Sequence, residues 1–248
     1  AYFDEDSYLA SVNVAHNLAS LYFRAFDEKF VEEIRSYAIN YFRKILSNLG
    51  WEPKKSDKHT DALLRTFAIA VLGKMNDETV TDEAIKKYKK FLKSPRSLSP
   101  DLIETICSIA AWNGNSKTFA ELKKLYTNAK TMEEKLRFLG AMCGFQDKKL
   151  LVKTLDFSQT SAVRSQNMQL PIMKIAGNPY GDKVLWPWLK KNWKKINKKV
   201  GHGNPLFNRI VASIAGVADD SMEKEIKLFF KNNPTPGTER TQSQTLER

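Results

Sequence analysis

The sequence predicts an all-α fold, an α-superhelix (solenoid) of antiparallel helix hairpins of the HEAT or armadillo type. Apolar residues recur at three- and four-residue spacing along most of the 248 residues, which is the period of amphipathic helices. Glycine (11) and proline (9) are few, and no stretch shows the alternation of a strand. Because short loops between consecutive helices produce hairpins that stack into solenoids, we expect residues 1–248 to form a single solenoid domain.

The first clear helix lies in residues 30–49, where the apolar side chains form one stripe. The stripe consists of Phe30, Ile34, Tyr37, Ala38, Tyr41, Ile45 and Leu49. This spacing predicts an amphipathic helix that ends at Gly50. Residues 50–57 are a predicted loop, and a second apolar helix follows from about Thr60 to Leu72.

Later helices are marked by their starts and by the breaks between them. Ser99 is a predicted N-cap with Pro100 at the first helical position, and Thr131 with Glu134 forms a predicted capping box. Glycine, proline and asparagine clusters break the chain at residues 113–115, 177–179, 201–203 and 233–237. The sequence therefore predicts about a dozen helices of ordinary length.

The net charge of +12 raises the possibility of a nucleic-acid partner, but the placement of the lysines in residues 186–200 argues against it. Successive residues of an α-helix are rotated by 100°. On such a helix the apolar side chains lie within an arc of roughly 80°, and the lysines lie on the opposite side. The arc contains Trp186, Leu189, Trp193, Ile196 and Val200, and the opposite side contains Lys190, Lys191, Lys194, Lys195, Lys198 and Lys199. Aromatics that face the core do not stack on bases, so we expect a solvated lysine face and disfavour nucleic acid; an anionic partner, such as an acidic peptide or a polynucleotide, is the alternative.

The cysteines and the longest apolar run bear on the cellular compartment. Cys107 and Cys143 lie in apolar helical stretches, and we predict buried thiols rather than a disulfide or a nucleophile. No Asn-x-Ser/Thr sequon occurs, and both observations favour a cytoplasmic location. The longest apolar run, residues 67–72, is too short to span a membrane, so no membrane partner is expected.

No arrangement in the sequence predicts a catalytic or metal site in this chain. His16, His59 and His202 are isolated, and none begins an H-E-x-x-H motif. The acidic pairs at residues 32–33 and 133–134 lie in predicted early helical turns, where the helix dipole favours carboxylates. We therefore predict no catalytic residue, no metal ligand and no cofactor here.

Three segments resemble a known family. They are Val163–Gln166, Asn178–Gly181 and Leu185–Trp193, with further matches at residues 50–53 and 240–248. Together they resemble the C-terminal helical domain of zinc aminopeptidases of the aminopeptidase N family, which includes the puromycin-sensitive, endoplasmic-reticulum and tricorn-interacting aminopeptidases. In that family this domain is a HEAT-like or armadillo-like superhelix that closes over the catalytic domain.

The resemblance implies that the chemistry lies elsewhere. The family binds zinc in a separate catalytic domain, where an H-E-x-x-H helix holds the metal and its glutamate activates water. We therefore expect this chain to be the C-terminal fragment of a larger enzyme that removes N-terminal residues from peptides. Its expected partners are the catalytic domain of the same polypeptide and peptide substrates. The alternative is a stand-alone basic helical-repeat scaffold that binds an acidic protein or nucleic acid.

Four polar residues in the matching segments are candidates for contact with substrate: Arg164, Gln166, Asn178 and Tyr180. Arg164 and Gln166 flank a predicted helix start after Ser161, and arginine has a planar fork that suits a peptide carboxylate or a neighbouring aspartate. An internal salt bridge or a helix cap is the favoured alternative for Arg164. A fold-defining turn is the favoured alternative for residues 178–181, because proline sets φ and glycine tolerates positive φ.

Pro187 departs from the family pattern, which has a polar residue between the two large aromatics. A proline inside a helix lacks the N–H that would bond to the preceding turn. We therefore expect an irregular first turn in the helix that carries Trp186 and Trp188.

Overall fold

The structure is a computed structural model that describes residues 8–25, 28–200, 204–214 and 222–246. Over these ranges the chain forms thirteen α-helices and no strand, which confirms the all-α prediction. The helices are α1 (Tyr8–Arg24), α2 (Val31–Leu49), α3 (His59–Lys74), α4 (Glu78–Lys93), α5 (Pro100–Trp112), α6 (Ser116–Asn128), α7 (Met132–Ala141), α8 (Lys148–Ser158), α9 (Gln169–Ala176), α10 (Asp182–Val200), α11 (Leu206–Ile214), α12 (Glu223–Asn232) and α13 (Glu239–Leu246). Short 3-10 helices lie at Pro95–Ser97, Met142–Gly144 and Ser165–Asn167.

The chain divides into two compact units, residues 1–113 and 114–248. In the first unit, α2 packs on α1 and α3, and both α3 and α4 pack on α5. In the second, α6 packs on α7, and α10 packs on α8, α9 and α11. Several helices adjacent in sequence therefore pack on each other within each unit, as hairpins require. The superhelix and the single-domain organisation remain predictions.

The buried face of α2 differs from the predicted stripe. Phe30 is 50% exposed and Tyr37 is 44% exposed. The side chains that face the core are Ala38, Ile39, Tyr41, Phe42 and Leu46. The apolar arc of α2 is wider than the surface that α1 and α3 cover. Contact with these two helices therefore determines which apolar side chains of α2 are buried.

The loop between α2 and α3 is held by a buried arginine. Gly50 ends α2 with φ +71°, a left-handed value that favours glycine. Arg65 on α3 is 1% exposed, and its guanidinium donates to the Gly50 carbonyl at 2.9 Å and the Leu49 carbonyl at 3.2 Å. The same side chain is ion-paired with Asp57. Arg65 thus satisfies backbone groups that α2 leaves unpaired at its end.

Two predicted helix starts have different outcomes. At α7 the capping box is confirmed, because the Glu134 N–H donates to the Thr131 hydroxyl and the Glu134 carboxylate accepts from the Thr131 N–H, each at 3.2 Å. At α5 the first helical position is Pro100, as predicted, but the Ser99 side chain makes no capping hydrogen bond. The Ser99 carbonyl instead accepts from the Leu102 N–H at 3.0 Å.

Helix α10 is continuous and buries the predicted face. The five residues of the predicted apolar arc are all buried, with Trp193 2% exposed. The Trp193 ring meets the rings of Phe207, Phe229 and Phe230 edge to face, with centroids 5.3 to 5.8 Å apart. Pro187 lies inside the helix without breaking it, so the expected irregular first turn is wrong. Because Pro187 has no N–H, one carbonyl of the preceding turn lacks its helical hydrogen bond. On the exposed side of the helix, water can bond to that carbonyl instead.

The predicted solvated lysine face is correct for four of its six members. Lys191, Lys194, Lys195 and Lys198 are exposed. Lys190 instead pairs with Glu225, and its ammonium lies 5.5 Å from the Trp186 ring centroid. Lys199 is partly buried and bonds to backbone carbonyls. The prediction was wrong for these two because neighbouring segments of the second unit reach them.

Both thiols are buried and free, which confirms the cysteine prediction. Burial raises the pKa of the Cys107 thiol strongly, so it stays protonated and unreactive at neutral pH. The Cys143 thiol donates to the Leu139 carbonyl at 3.2 Å. Of the predicted breaks, residues 113–115, 177–179 and 233–237 lie between helices, whereas residues 201–203, including His202, lie outside the described residues.

Candidate functional site

The segment between α8 and α9 carries two of the four predicted contact residues. Arg164 and Gln166 are both exposed. A helix begins after Ser161, as predicted: a 3-10 helix begins at Ser165, between these two residues, and α9 begins at Gln169. Among the described residues, no carboxylate lies within ion-pair distance of Arg164, and its side chain caps no helix. The structural role favoured for Arg164 is therefore not observed, and its guanidinium faces solvent.

Lys199 holds this segment from α10. Its ammonium donates to three backbone carbonyls, those of Ser158, Thr160 and Val163, at 3.0, 2.9 and 3.0 Å. These contacts satisfy the C-terminal end of α8 and the turn that follows, where carbonyls have no partner within the helix. Partial burial lowers the pKa of Lys199, because desolvation disfavours the charged form. All three N–H donors are engaged, so Lys199 supports the backbone and is not free to bind a ligand.

Tyr126 holds the same segment from α6. Its hydroxyl donates to the Ala162 carbonyl at 3.0 Å. Burial raises the pKa of Tyr126, and the positive charge of Arg164 opposes that rise. Val163 is 1% exposed, and the amide nitrogen of Asn167 lies 3.1 Å from the sulfur of Met132 on α7. Contacts from α6 and α10 therefore hold the backbone that precedes Arg164, and a side-chain contact from α7 lies after it.

The other two predicted contact residues lie in the turn between α9 and α10. Asn178 is buried, and its side-chain N–H groups donate to the Cys143 and Phe145 carbonyls, both at 2.9 Å. Its side-chain oxygen accepts from the Tyr180 N–H at 2.9 Å. These bonds support the fold-defining turn for Asn178, while Tyr180 is partly exposed. The two pairs of predicted contact residues lie at opposite ends of α9.

Gly181 is required in this turn by close approach rather than by positive φ. A Cβ at this position would lie 1.9 Å from the Ile175 carbonyl oxygen, far inside van der Waals contact. Its φ is not positive, in contrast to Gly50 and Gly237. The expected reason for this glycine was therefore wrong, although the turn itself was predicted correctly.

A cleft that the sequence did not reveal lies between α12 and α13. It has a volume of about 530 Å³ and is lined by Glu223, Lys227, Phe230, Lys231, Glu239, Gln242 and Ser243. Lys227 is ion-paired with Glu223 on the same helix. Charges of both signs around one apolar side chain suit a polar ligand, but the lining contains no histidine or cysteine to act as a base or nucleophile.

The ranges that the structure describes contain no cluster of three or more histidine, cysteine, aspartate or glutamate side chains able to hold a metal ion. His16 packs against Phe67, with ring centroids 4.5 Å apart. The zinc centre that the family resemblance implies is expected in a separate catalytic domain, and we derive no chemical step through a metal here. No helix in the described parts is long and apolar enough to cross a membrane.

The chain belongs to the ERAP1-like C-terminal domain family, whose model matches residues 1–248. This confirms the resemblance to the C-terminal domain of the aminopeptidase N family. Curated relatives include "Aminopeptidase M1-D" of Oryza sativa subsp. japonica, which is 28% identical over 98% of this chain. "Aminopeptidase M1" of Arabidopsis thaliana is 26% identical over 90% of it. "Aminopeptidase 2, mitochondrial" of Saccharomyces cerevisiae is 27% identical over 84%.

The matched regions cover only part of those relatives. They span 28%, 26% and 22% of the rice, Arabidopsis and yeast proteins, respectively. The chain thus corresponds to about a quarter of the length of the aminopeptidases it matches.

Proposed function

We propose that this chain is the non-catalytic C-terminal part of a zinc aminopeptidase, where it walls the substrate cavity and helps select peptides. The observation that carries the proposal is the family match over the whole chain, together with relatives that are named aminopeptidases and are about four times longer. The intact enzyme removes N-terminal residues from peptides by a zinc-activated water that the catalytic domain supplies. The two free, buried thiols favour the cytoplasm as its compartment.

The contribution of this chain is steric and electrostatic. A superhelical wall restricts which peptides fit, and the net charge of +12 attracts peptide carboxylates. Arg164 and Gln166 are the best-placed contacts, because both are exposed on a segment whose backbone is held from two helices, α6 and α10. Tyr180, partly exposed, is a further contact, whereas the bonds of Asn178 favour a supporting role.

The test compares substrates of different length in the intact polypeptide that contains this chain. Removal of residues 1–248 should change kcat/KM for a ten-residue peptide at least about threefold more than kcat/KM for an aminoacyl reporter, since only the peptide extends far from the metal. Adding the separate chain back should restore part of the difference. Equal losses of kcat/KM for both substrates would contradict the proposal that the chain walls the substrate cavity. They would leave the chain only a stabilising role in the enzyme.

The reading frame that encodes the chain provides a second test. An H-E-x-x-H motif upstream in the same frame would support the proposal that the chain is part of a zinc aminopeptidase. Its absence would favour the stand-alone basic scaffold that binds an acidic partner.

A further inference from the structure

We propose that the cleft between α12 and α13 binds a small zwitterion, a molecule with both an ammonium and a carboxylate group, with Lys231 receiving the carboxylate and Glu239 the ammonium. Free amino acids and short peptides with unblocked ends have this chemistry. The inference goes beyond the proposed function, because the cleft includes none of the four predicted contact residues. Its volume of about 530 Å³ is within the range of about 300 to 1,000 Å³ that is typical of small-ligand pockets.

The two walls of the cleft are anchored on different helices of the second unit. Helix α12 is anchored on α10, where the Phe230 and Trp193 rings meet edge to face with centroids 5.7 Å apart. Helix α13 packs on α11, and the Thr241 hydroxyl donates to the Asn208 side-chain oxygen at 2.7 Å. Because each wall is held by its own neighbour, a ligand does not have to order the walls when it binds.

The charges that line the cleft balance each other. Two carboxylates and two ammonium groups line it. Glu223 and Lys227 are ion-paired with each other along α12. No ion pair joins Lys231 or Glu239 to another residue in the part of the chain that the structure describes. A ligand with one group of each sign would pair with both residues and leave no net charge in the cleft.

Lys231 and Glu239 lie on either side of one short turn. Lys231 is in the last turn of α12, Glu239 is the first residue of α13, and residues 233–238 connect the two helices. The turn is built on two buried threonines, because the Thr235 and Thr238 hydroxyls lie 2.7 Å apart and the residues are 5% and 2% exposed. The turn therefore holds an ammonium group and a carboxylate at the same end of the cleft.

Gln242 adds a fixed hydrogen-bond acceptor on the same side as Glu239. Its side-chain nitrogen donates to the Thr235 and Thr238 hydroxyls at 3.0 and 2.8 Å, which uses both of its N–H groups. The side-chain oxygen of Gln242 is then the atom that remains for a ligand. Gln242 follows Glu239 by three residues on α13, so both lie on one face of the helix. One ammonium group can therefore donate to the carboxylate and to this oxygen together.

Other classes of ligand match this lining less well. A divalent cation would face two ammonium groups, and the described residues contain no cluster able to hold a metal ion. A phosphate or a nucleotide would bring net negative charge beside two carboxylates. Phe230 is 5% exposed, so it provides an apolar floor rather than an open ring face for a base. A zwitterion with an apolar body matches the charges, the acceptor and the floor.

Isothermal titration calorimetry on the 248-residue chain tests the site without competition from the proposed catalytic domain. The ligands are leucine, trileucine, and an N-acetylated and an amidated form of each. We expect leucine or trileucine to bind about three- to fivefold more tightly than either of its capped forms, a modest ratio because Lys231 and Glu239 are exposed. Tighter binding of leucine identifies amino acids as the source of the zwitterion, and tighter binding of trileucine identifies short peptides.

Variants assign each half of the ligand to one residue. Lys231→Gln should weaken binding of the zwitterion about three- to fivefold and leave the amidated form unchanged, because that form has no carboxylate. Lys231→Arg keeps the charge and should retain the preference. Glu239→Gln should weaken the zwitterion by a similar factor and leave the N-acetylated form unchanged, because that form has no ammonium group. The glutamine oxygen can still accept from the Gly237 N–H, so the turn is preserved.

Lys224→Gln is the matched control, because it removes a charge from an exposed position on α12 that does not line the cleft. Three results would overturn the site: no saturable binding of leucine or trileucine, equal affinity for the zwitterions and their capped forms, or an equal loss in Lys224→Gln. Thermal melts identify any variant that has lost its fold, and the capped ligands on the parent chain then decide. None of these results bears on the peptide-length test, which uses the intact polypeptide and judges the proposed function separately.

Discussion

At the scale of single residues, a few charged side chains hold the connections between helices. Arg65 is the clearest example, because it bonds to two carbonyls at the end of α2 and to Asp57 in the following loop. The Lys54 N–H, and then Arg65, lower the pKa of Asp57, since both favour the ionised carboxylate. The loop is thus held by the negative charge of Asp57, which is lost when the carboxylate is protonated at low pH.

A change of Asp57 to asparagine tests this link. Because the folded chain has the lower pKa, the carboxylate stabilises the fold above the ordinary aspartate pKa of about 4, and this contribution is lost as the pH falls further. We expect Asp57→Asn to lower the free energy of unfolding at pH 7 and to differ less from the parent at pH 3. Denaturant melts at the two pH values measure this.

The exposed Asp82 provides the control, since Asp82→Asn removes the same charge without a buried arginine beside it. A difference between Asp57→Asn and the parent that stays the same from pH 7 to pH 3 would show that the lowered pKa does not support the loop.

At the scale of helices, burial depends on which neighbours meet each apolar arc. Helix α10 buries the whole arc that its sequence shows, because aromatic side chains of α11 and α12 meet Trp193. Helix α2 buries only part of its arc and leaves Tyr37 partly exposed. The period of a pattern therefore predicts the helix and the general side of its core face, but not the width of the contact.

The assignment of the buried and exposed faces of α10 can be tested by substitutions at two neighbouring residues. Trp193→Ala should lower the free energy of unfolding by about 3 to 5 kcal/mol, because it leaves a cavity among the phenylalanine rings. Lys194→Ala, on the exposed side, should lie within about 0.5 kcal/mol of the parent. Chemical denaturation of the two variants separates these cases. Small and equal effects would mean that the aromatic cluster contributes little to stability.

At the scale of the whole molecule, the proposed function gives this chain a shaping role and leaves the chemistry to a catalytic domain elsewhere in the same polypeptide. The part of the chain that the structure describes holds no cluster of three or more histidine, cysteine, aspartate or glutamate side chains able to bind a metal ion. The chain covers 28% and 26% of the rice and Arabidopsis relatives, so most of their length lies outside the matched region.

The separate chain provides a test of this division. We expect metal analysis of the purified 248-residue chain to find zinc well below one ion per chain, and an aminoacyl reporter to remain uncleaved, since no set of ligands and no general base come together in the described residues. The intact polypeptide, assayed alongside, is the positive control. One tightly held zinc ion per separate chain would contradict the proposed division.

The sequence by itself determined the helical class, three breaks between helices and several helix ends, because these depend on interactions within one or two turns. The capping box at Thr131, the end of α2 at Gly50 and the core face of α10 were all predicted correctly. Each is encoded by residues within a few positions of one another. The family was also recognised from short local segments.

Only the tertiary structure decided how individual polar side chains are used. Lys199 has the same spacing as its exposed neighbours, yet it bonds to Ser158, 41 residues earlier in the chain. Arg164 was expected to have an internal partner, yet its side chain is exposed. Hydrogen bonds such as those of Lys199 join residues that are distant in sequence. Their partners are set by the packing of whole helices, which a local pattern does not encode.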